Sequence, residues 1–294
     1  MISQSLQAHL DSGATTLCRA WAVTRRDGVM MGFTDHDREV AFDGIEFRPD
    51  SGMTARALSQ TTGLSVDNSE VVGALSDAAI TEAEILAGRF DGAAIRIWLV
   101  NWMDPAQRIL QFSGTLGEIS RADGAFFAEL RGLTEELNQP QGRVYQKRCS
   151  AVLGDGRCRF DLGQPGYAHE IAAEQVECAR VFRFAGLDQF SPRWFEAGRL
   201  VVADGAAVGL TGIVKNDRYK DGMRIVELWQ GLRADVQPGD MLRLEAGCDK
   251  RAETCRVKFA NMTNFQGFPH QPGEDWLIAY PASGGANDGG SLEG

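Results

Sequence analysis

The chain has no apolar run near the roughly 18–20 residues that a helix needs to cross a bilayer, so no membrane anchor is expected. Its start, Met1-Ile2-Ser3-Gln4-Ser5-Leu6, lacks the basic residues and apolar stretch of a secretory signal. Synthesis and folding in a cytoplasm are the expectation. Basic residues are also short, 30 against 40 acidic ones, for a net charge of −10. A tight grip on a nucleic-acid backbone normally needs the opposite balance. The four histidines, His9, His36, His169 and His270, stand in unrelated contexts, which leaves no histidine zinc site or catalytic set of a hydrolase. No glycine-rich loop follows a strand and opens a helix, and only 9 prolines are present. With six cysteines in 294 residues and no secretory signal, a disulfide framework is not expected.

What is present reads as a globular, mainly β chain with a few short helices. Hydrophobic residues make up 44% and charged residues 24%, enough for a real core. Glycine, at 34 residues, is about 12% against a usual ~7% and points to many tight turns. Ile2, Leu6 and Leu10 have helical spacing. From Leu17 the pattern alternates, with Arg19, Trp21 and Val23 on one face and Cys18, Ala20 and Ala22 on the other, up to an Asp27-Gly28 turn. Asp43-Gly44 repeats the device between 40–42 and 45–47, which suggests a β-meander. Thr81-Glu82-Ala83-Glu84 is a capping box for a helix to about Arg89. Strands follow at 94–102, 108–116 and 125–131, the last two split by Asp123-Gly124. A helical turn at 134–138 is stopped by Pro140.

The second half predicts strands near 198–204, 209–216, 223–230 and 240–245, in a small barrel or sandwich. Cys18 and Cys178, the latter in the strand-like run Val176–Phe182, read as small core residues. The expected division is a mainly β domain over 1–140, a cysteine-rich β domain over 141–280, and a flexible Gly/Ser tail over 281–294.

Two clusters invite a chemical reading. Asp35-His36-Asp37 could bind a divalent ion or serve acid–base chemistry. Neighbours on a strand point to opposite faces, however, and no second cluster completes a site. A polar turn whose side chains bond the local backbone is the better reading. The second cluster is Cys149 and Cys158 with Cys248 and Cys255, two pairs spaced C-x8-C and C-x6-C inside glycine- and charge-rich stretches. Loop cysteines in pairs suggest ligands that folding brings together. Residues 143–159 and 248–258 hold nine basic and three acidic side chains, a surplus expected to lower thiol pKa and favour metal binding. Spacing leaves an iron–sulfur cluster, structural zinc, and thiols without metal all open. The run Phe259–Pro269 offers aromatics either as a lid over such a site or as ordinary loop packing.

Taken together, these residues resemble a known family. The resemblance rests on Gly32-Phe33-Thr34-Asp35-His36-Asp37, Leu137-Asn138-Gln139-Pro140, and Leu153-Gly154-Asp155-Gly156-Arg157 between Cys149 and Cys158. It continues through Gly247-Cys248-Asp249-Lys250, Thr254-Cys255, Phe259, Asn261, Asn264-Phe265, Gly267-Phe268-Pro269, Pro272-Gly273 and Asp275. Over about residues 1–280 the chain looks like the tail hub proteins of gene transfer agents and siphophages. In its C-terminal part it is similar to the lambda tail-tip iron–sulfur protein.

The resemblance implies β-barrel or sandwich-like hub domains and a structural, non-enzymatic baseplate protein. It implies a homotrimeric ring between the distal tail protein ring and the central tip or fibre protein, through which DNA passes without specific binding. It also implies assembly in the bacterial cytoplasm before incorporation at the particle's tail tip. By the same resemblance Cys149, Cys158, Cys248 and Cys255 carry a [4Fe–4S] cluster, favoured over structural zinc, and no catalytic residue is assigned. The rival from another class is a cysteine-ligated metalloenzyme, redox-active or cleaving cell wall.

Overall fold

Strand alternation organises the first half. The computed structural model describes residues 2–49, 53–55, 68–73, 80–122, 125–132 and 142–271. The turn at Asp123-Gly124, the helical turn at 134–138 and the tail at 281–294 lie outside them. Helix α1 (Gln4–Asp11) starts at Ser3, whose hydroxyl accepts from the Leu6 amide, and buries Leu6. Nine strands follow: β1 (Leu17–Thr24), β2 (Met30–Thr34), β3 (Val40–Phe42), β4 (Ile45–Arg48), β5 (Met53–Ala55), β6 (Asn68–Gly73), β7 (Ala94–Asn101), β8 (Arg108–Ala122) and β9 (Ala125–Gly132). They form one sheet in the order β3-β4-β2-β1-β7-β8-β9-β6-β5.

That order corrects the meander. β3 lies outside β4, and β4 runs parallel to β2 with Gly32 opposite Phe47. Gly32 permits it, because a Cβ there would stand 2.3 Å from the Glu46 carbonyl oxygen. The crossing folds Phe42 and Phe47, stacked at 4.3 Å, over Trp98 and the small face of β1. Cys18, Ala20 and Ala22 are small because these rings occupy the space above them. The other face of β1 sends Trp21 and Val23 into a second core with Phe33, Ile95, Ile97 and Leu130. The capping box forms as expected, with reciprocal bonds between Thr81 and Glu84. Its helix α2 (Glu82–Leu86) is shorter than predicted. Buried Arg25 joins Glu84 at 2.8 Å and Asp27, tying the β1–β2 hairpin to α2.

Seven strands make the second sheet: β10 (Ala168–Ala172), β11 (Gln175–Glu177), β12 (Val181–Phe184), β13 (Arg199–Val202), β14 (Thr211–Lys220), β15 (Met223–Leu228) and β16 (Met241–Glu245). Their order is β10-β16-β13-β14-β15-β12-β11. β14 pairs with β13 through its first residues and with β15 from Val214 onward, across a bulge between Val214 and Asn216. Strands from both wings contribute to one core of Phe182, Phe184, Leu200, Val226, Leu242 and Leu244. The fold is therefore mainly β with short helices.

Cys18 is buried as expected, but Cys178 is not a core residue. It is exposed, and with Ala179 it takes positive φ (51° and 47°) in the turn between β11 and β12. The run Val176–Phe182 is thus a hairpin and not one strand. At the end of β16 the chain runs directly through Ala246 and Gly247 to Cys248, before helix α3 (Ala252–Val257).

Candidate metal centre

Cys149, Cys158, Cys248 and Cys255 line one cavity, together with Ala151, Leu153, Lys250, Phe259, Asn261 and Phe265. The segments that supply them have little regular structure, so side-chain bonds to the backbone place each sulfur. Asp155 holds the first loop. Its carboxylate accepts from the amides of Cys158 (2.7 Å), Val152 (2.9 Å) and Arg157 (2.9 Å). Those bonds, led by that of Cys158, keep its pKa below the usual carboxylate value. The Cys149 amide donates to the Lys250 carbonyl at 2.9 Å, while Lys250 Nζ donates to the Ala151 carbonyl at 2.6 Å. The loops of the two cysteine pairs are thus laced together.

Asn261 links Cys158 to Cys255. Its Nδ2 donates to the Cys158 carbonyl at 2.7 Å and reaches Cys158 Sγ at 3.5 Å. Its own amide donates to the Cys255 carbonyl at 3.0 Å, and Cys255 Sγ–H donates to its carbonyl at 3.3 Å. The Gln266 amide donates to Cys149 Sγ at 3.4 Å. The sequence marked Asp155 and Asn261 only as part of the resemblance, with no role at the cysteines, and did not mark Gln266. Asp155 was findable, since a Gly-Asp-Gly run is a strong signal for an aspartate bonding its own backbone.

The aromatic stretch divides. Phe259 is buried against Phe160 (5.0 Å, edge-on), and both Phe259 and Phe265 line the cavity. Phe268 turns away to pair with Tyr145 at 4.8 Å.

The electrostatics correct one expectation. Burial pushes the Cys248 thiol up, and burial followed by repulsion from Cys248, Cys149 and Cys158 pushes Cys255 up to about 11. The basic surroundings do not lower these two. Desolvation and the cost of gathering four thiolates outweigh Lys250. Burial also pushes the Lys258 ammonium down, to about 8, although Cys248 pulls it the other way. A cation in the cavity would relieve the thiolate repulsion, and its uptake would release protons.

Among the described residues no group of three or more His, Cys, Asp or Glu side chains is arranged to hold a metal ion. Four thiols are nonetheless a donor set that a thiolate-bound metal group can use. Four thiols face a common space, and N–H groups at Gln266 and Asn261 are directed at two of the sulfurs.

Asp35-His36-Asp37 forms a polar turn. The Asp35 carboxylate accepts from the Arg19 amide at 2.6 Å, and His36 Nδ1 accepts from the Arg38 amide at 3.0 Å. The His36 ring lies 4.7 Å from Trp102. Among the described residues no helix is long and apolar enough to cross a membrane.

Comparison with known proteins adds three findings. Residues 3–161 match the family model of the baseplate hub protein, N-terminal attachment domain. Residues 193–275 match that of the phage conserved hypothetical protein BR0599. A solved chain from the virion of a native gene transfer agent particle is similar at 63% identity and TM-score 0.90, covering 99% of this chain and 100% of that one. No curated protein matches.

Proposed function

This chain belongs to the baseplate hub protein family, and from that premise we propose that it is a structural hub at the tail tip of a gene-transfer-agent particle. In this reading it forms a trimeric ring between the distal tail protein and the central tip protein, and DNA passes through it during ejection. The net charge of −10 supports a conduit, because an acidic lumen repels DNA and does not hold it. The role is architectural and not enzymatic. Assembly takes place in the bacterial cytoplasm before incorporation into the particle.

The convergence of Cys149, Cys158, Cys248 and Cys255 on one cavity carries the second part of the proposal. These residues hold a [4Fe–4S] cluster, which four thiolates suit. When bound, the cluster supplies a cross-link between segments 90 residues apart (158 to 248). Such a link removes unfolded-chain entropy as a disulfide would, in a compartment where disulfides do not persist.

The test is metal and labile-sulfide analysis of protein purified without oxygen. About four irons and four sulfides per chain, lost in Cys248→Ser, is the expected result. One zinc per chain would make the site a plain structural staple. Absence of both metals would overturn the cluster and leave the hub.

A further inference from the structure

Arg224 and Asp217 form an ion pair with side chains only 2% and 0% exposed. All five guanidinium N–H groups are used. Nε and one terminal nitrogen donate to the Asp217 carboxylate at 2.6 and 2.7 Å. The remaining three bonds reach the carbonyls of Leu187, Phe190 and Ser191 at 2.7–3.0 Å. Asp217 also accepts from the Phe195 amide at 2.8 Å. The pair therefore pins the irregular segment 187–195 onto β14 and β15.

The charge pairing itself gains little stability over apolar residues of similar volume, and the pair's other contacts satisfy three backbone carbonyls and the Phe195 amide. What it supplies is a fixed position for the segment it holds, and that segment leads to the cysteines. The Trp194 carbonyl accepts from the Gly247 amide at 2.9 Å and from Lys258 Nζ at 2.6 Å, and Lys258 Nζ also donates to the Gly247 carbonyl at 2.9 Å. A Cβ on Gly247 would stand 1.7 Å from the Glu196 carbonyl oxygen, so the two backbones meet with no slack. Gly247 precedes Cys248, and Lys258 follows Cys255 by three residues.

We infer that Arg224 and Asp217 are positioning residues for the cysteine cavity. Through the Trp194 carbonyl they fix Gly247 and Lys258, and with them the directions in which Cys248 and Cys255 present their sulfurs. The ligand held there rests on the function proposed above, whereas the positioning does not.

The test is the full-length double variant Arg224→Met/Asp217→Leu, which removes the charges together and keeps the volume. It should fold, as judged by circular dichroism, with a lowered melting temperature because the Leu187, Phe190 and Ser191 carbonyls and the Phe195 amide lose their partners. It should release iron to a chelator about tenfold faster than wild type, the effect typical of residues that orient metal ligands. The electron paramagnetic resonance line shape of the reduced cluster should change with it. In metal-stripped protein, native-state alkylation of Cys248 should change rate while that of exposed Cys178 stays constant. A folded variant with unchanged iron release and unchanged Cys248 alkylation overturns the inference. Should the double variant not fold, Asp217→Asn is measured in the same two ways, and unchanged rates there are equally decisive against it. If wild-type protein holds no metal, the cluster reading fails and the alkylation rates alone decide the positioning.

Discussion

In the nine-stranded sheet β1 is covered on both faces, by Trp21 and Val23 with their neighbours on one side and by Phe42, Phe47 and Trp98 over its small residues on the other. Between Cys149 and Leu162, and again between Gly247 and Gly267, the chain has one six-residue helix and a single 3-10 turn. The apolar core there is small, built on Phe160, Ala246 and Phe259. Asp155, Lys250 and Asn261 hold it together by bonds to backbone groups. The contrast separates two ways of ordering a chain. Burial of alternating side chains orders the sheet without help. The cysteine region has a small apolar core and is ordered by a polar lattice and, in our reading, by a metal cross-link.

Three experiments can break or sharpen that contrast. The largest effect should come from Cys255→Ser, which removes a ligand of the proposed cross-link over a loop of about 90 residues. By analogy with a disulfide of that span the loss is roughly 4–5 kcal/mol. It should be confined to the cysteine region. Hydrogen exchange should show residues 142–162 and 247–268 opening while amides of β1 and β7 stay protected. Equal loss of protection in both regions would mean that the two are not ordered independently.

Phe47→Ala should do the reverse. It empties a fully buried ring from the small-residue side of β1, at about 3 kcal/mol or somewhat more. Denaturant unfolding should report that loss, with metal content unchanged. Lost metal would show that the cysteine region depends on the first sheet.

The smallest effect concerns pH. In metal-stripped protein the Cys255 pKa is raised to about 11 from 9.0. The native fold therefore binds this proton more tightly than the unfolded chain does. The stability associated with it is complete below pH 9 and falls as pH rises towards 11. Thermal melting at several pH values should show the decline without metal. With metal bound, that decline should vanish, since no thiol proton remains to be lost.

Much of the sheet architecture is legible in local pattern. Alternation from Leu17 marks β1 with both faces correctly assigned, and Thr81-Glu82-Ala83-Glu84 marks a helix start whose two bonds both form. Strand pairing is less legible. The parallel approach of β4 to β2 depends on the absence of a side chain at Gly32, a contact with a residue 14 positions away. Cys178 misleads because Val176–Phe182 reads as one strand-like run. The two left-handed residues that break it leave no mark in hydrophobic periodicity. At the candidate site the four cysteines stand out through their spacing and charged surroundings, whereas the thiol pKa direction does not follow from charge counting. Burial depth and the distances among four sulfurs set it, and both are properties of the folded chain.

By itself the sequence determined the β character, most strand positions, the capping box and the four cysteines worth pairing. These depend on neighbours within a few residues, where side-chain periodicity and turn chemistry act. Only the tertiary structure decided the strand order, the exposure of Cys178, the lacing of the two cysteine loops through Asn261 and Lys250, and the Arg224–Asp217 anchor behind Trp194. Each of these is a contact across tens of residues, and its energy depends on burial and distance that no local window contains.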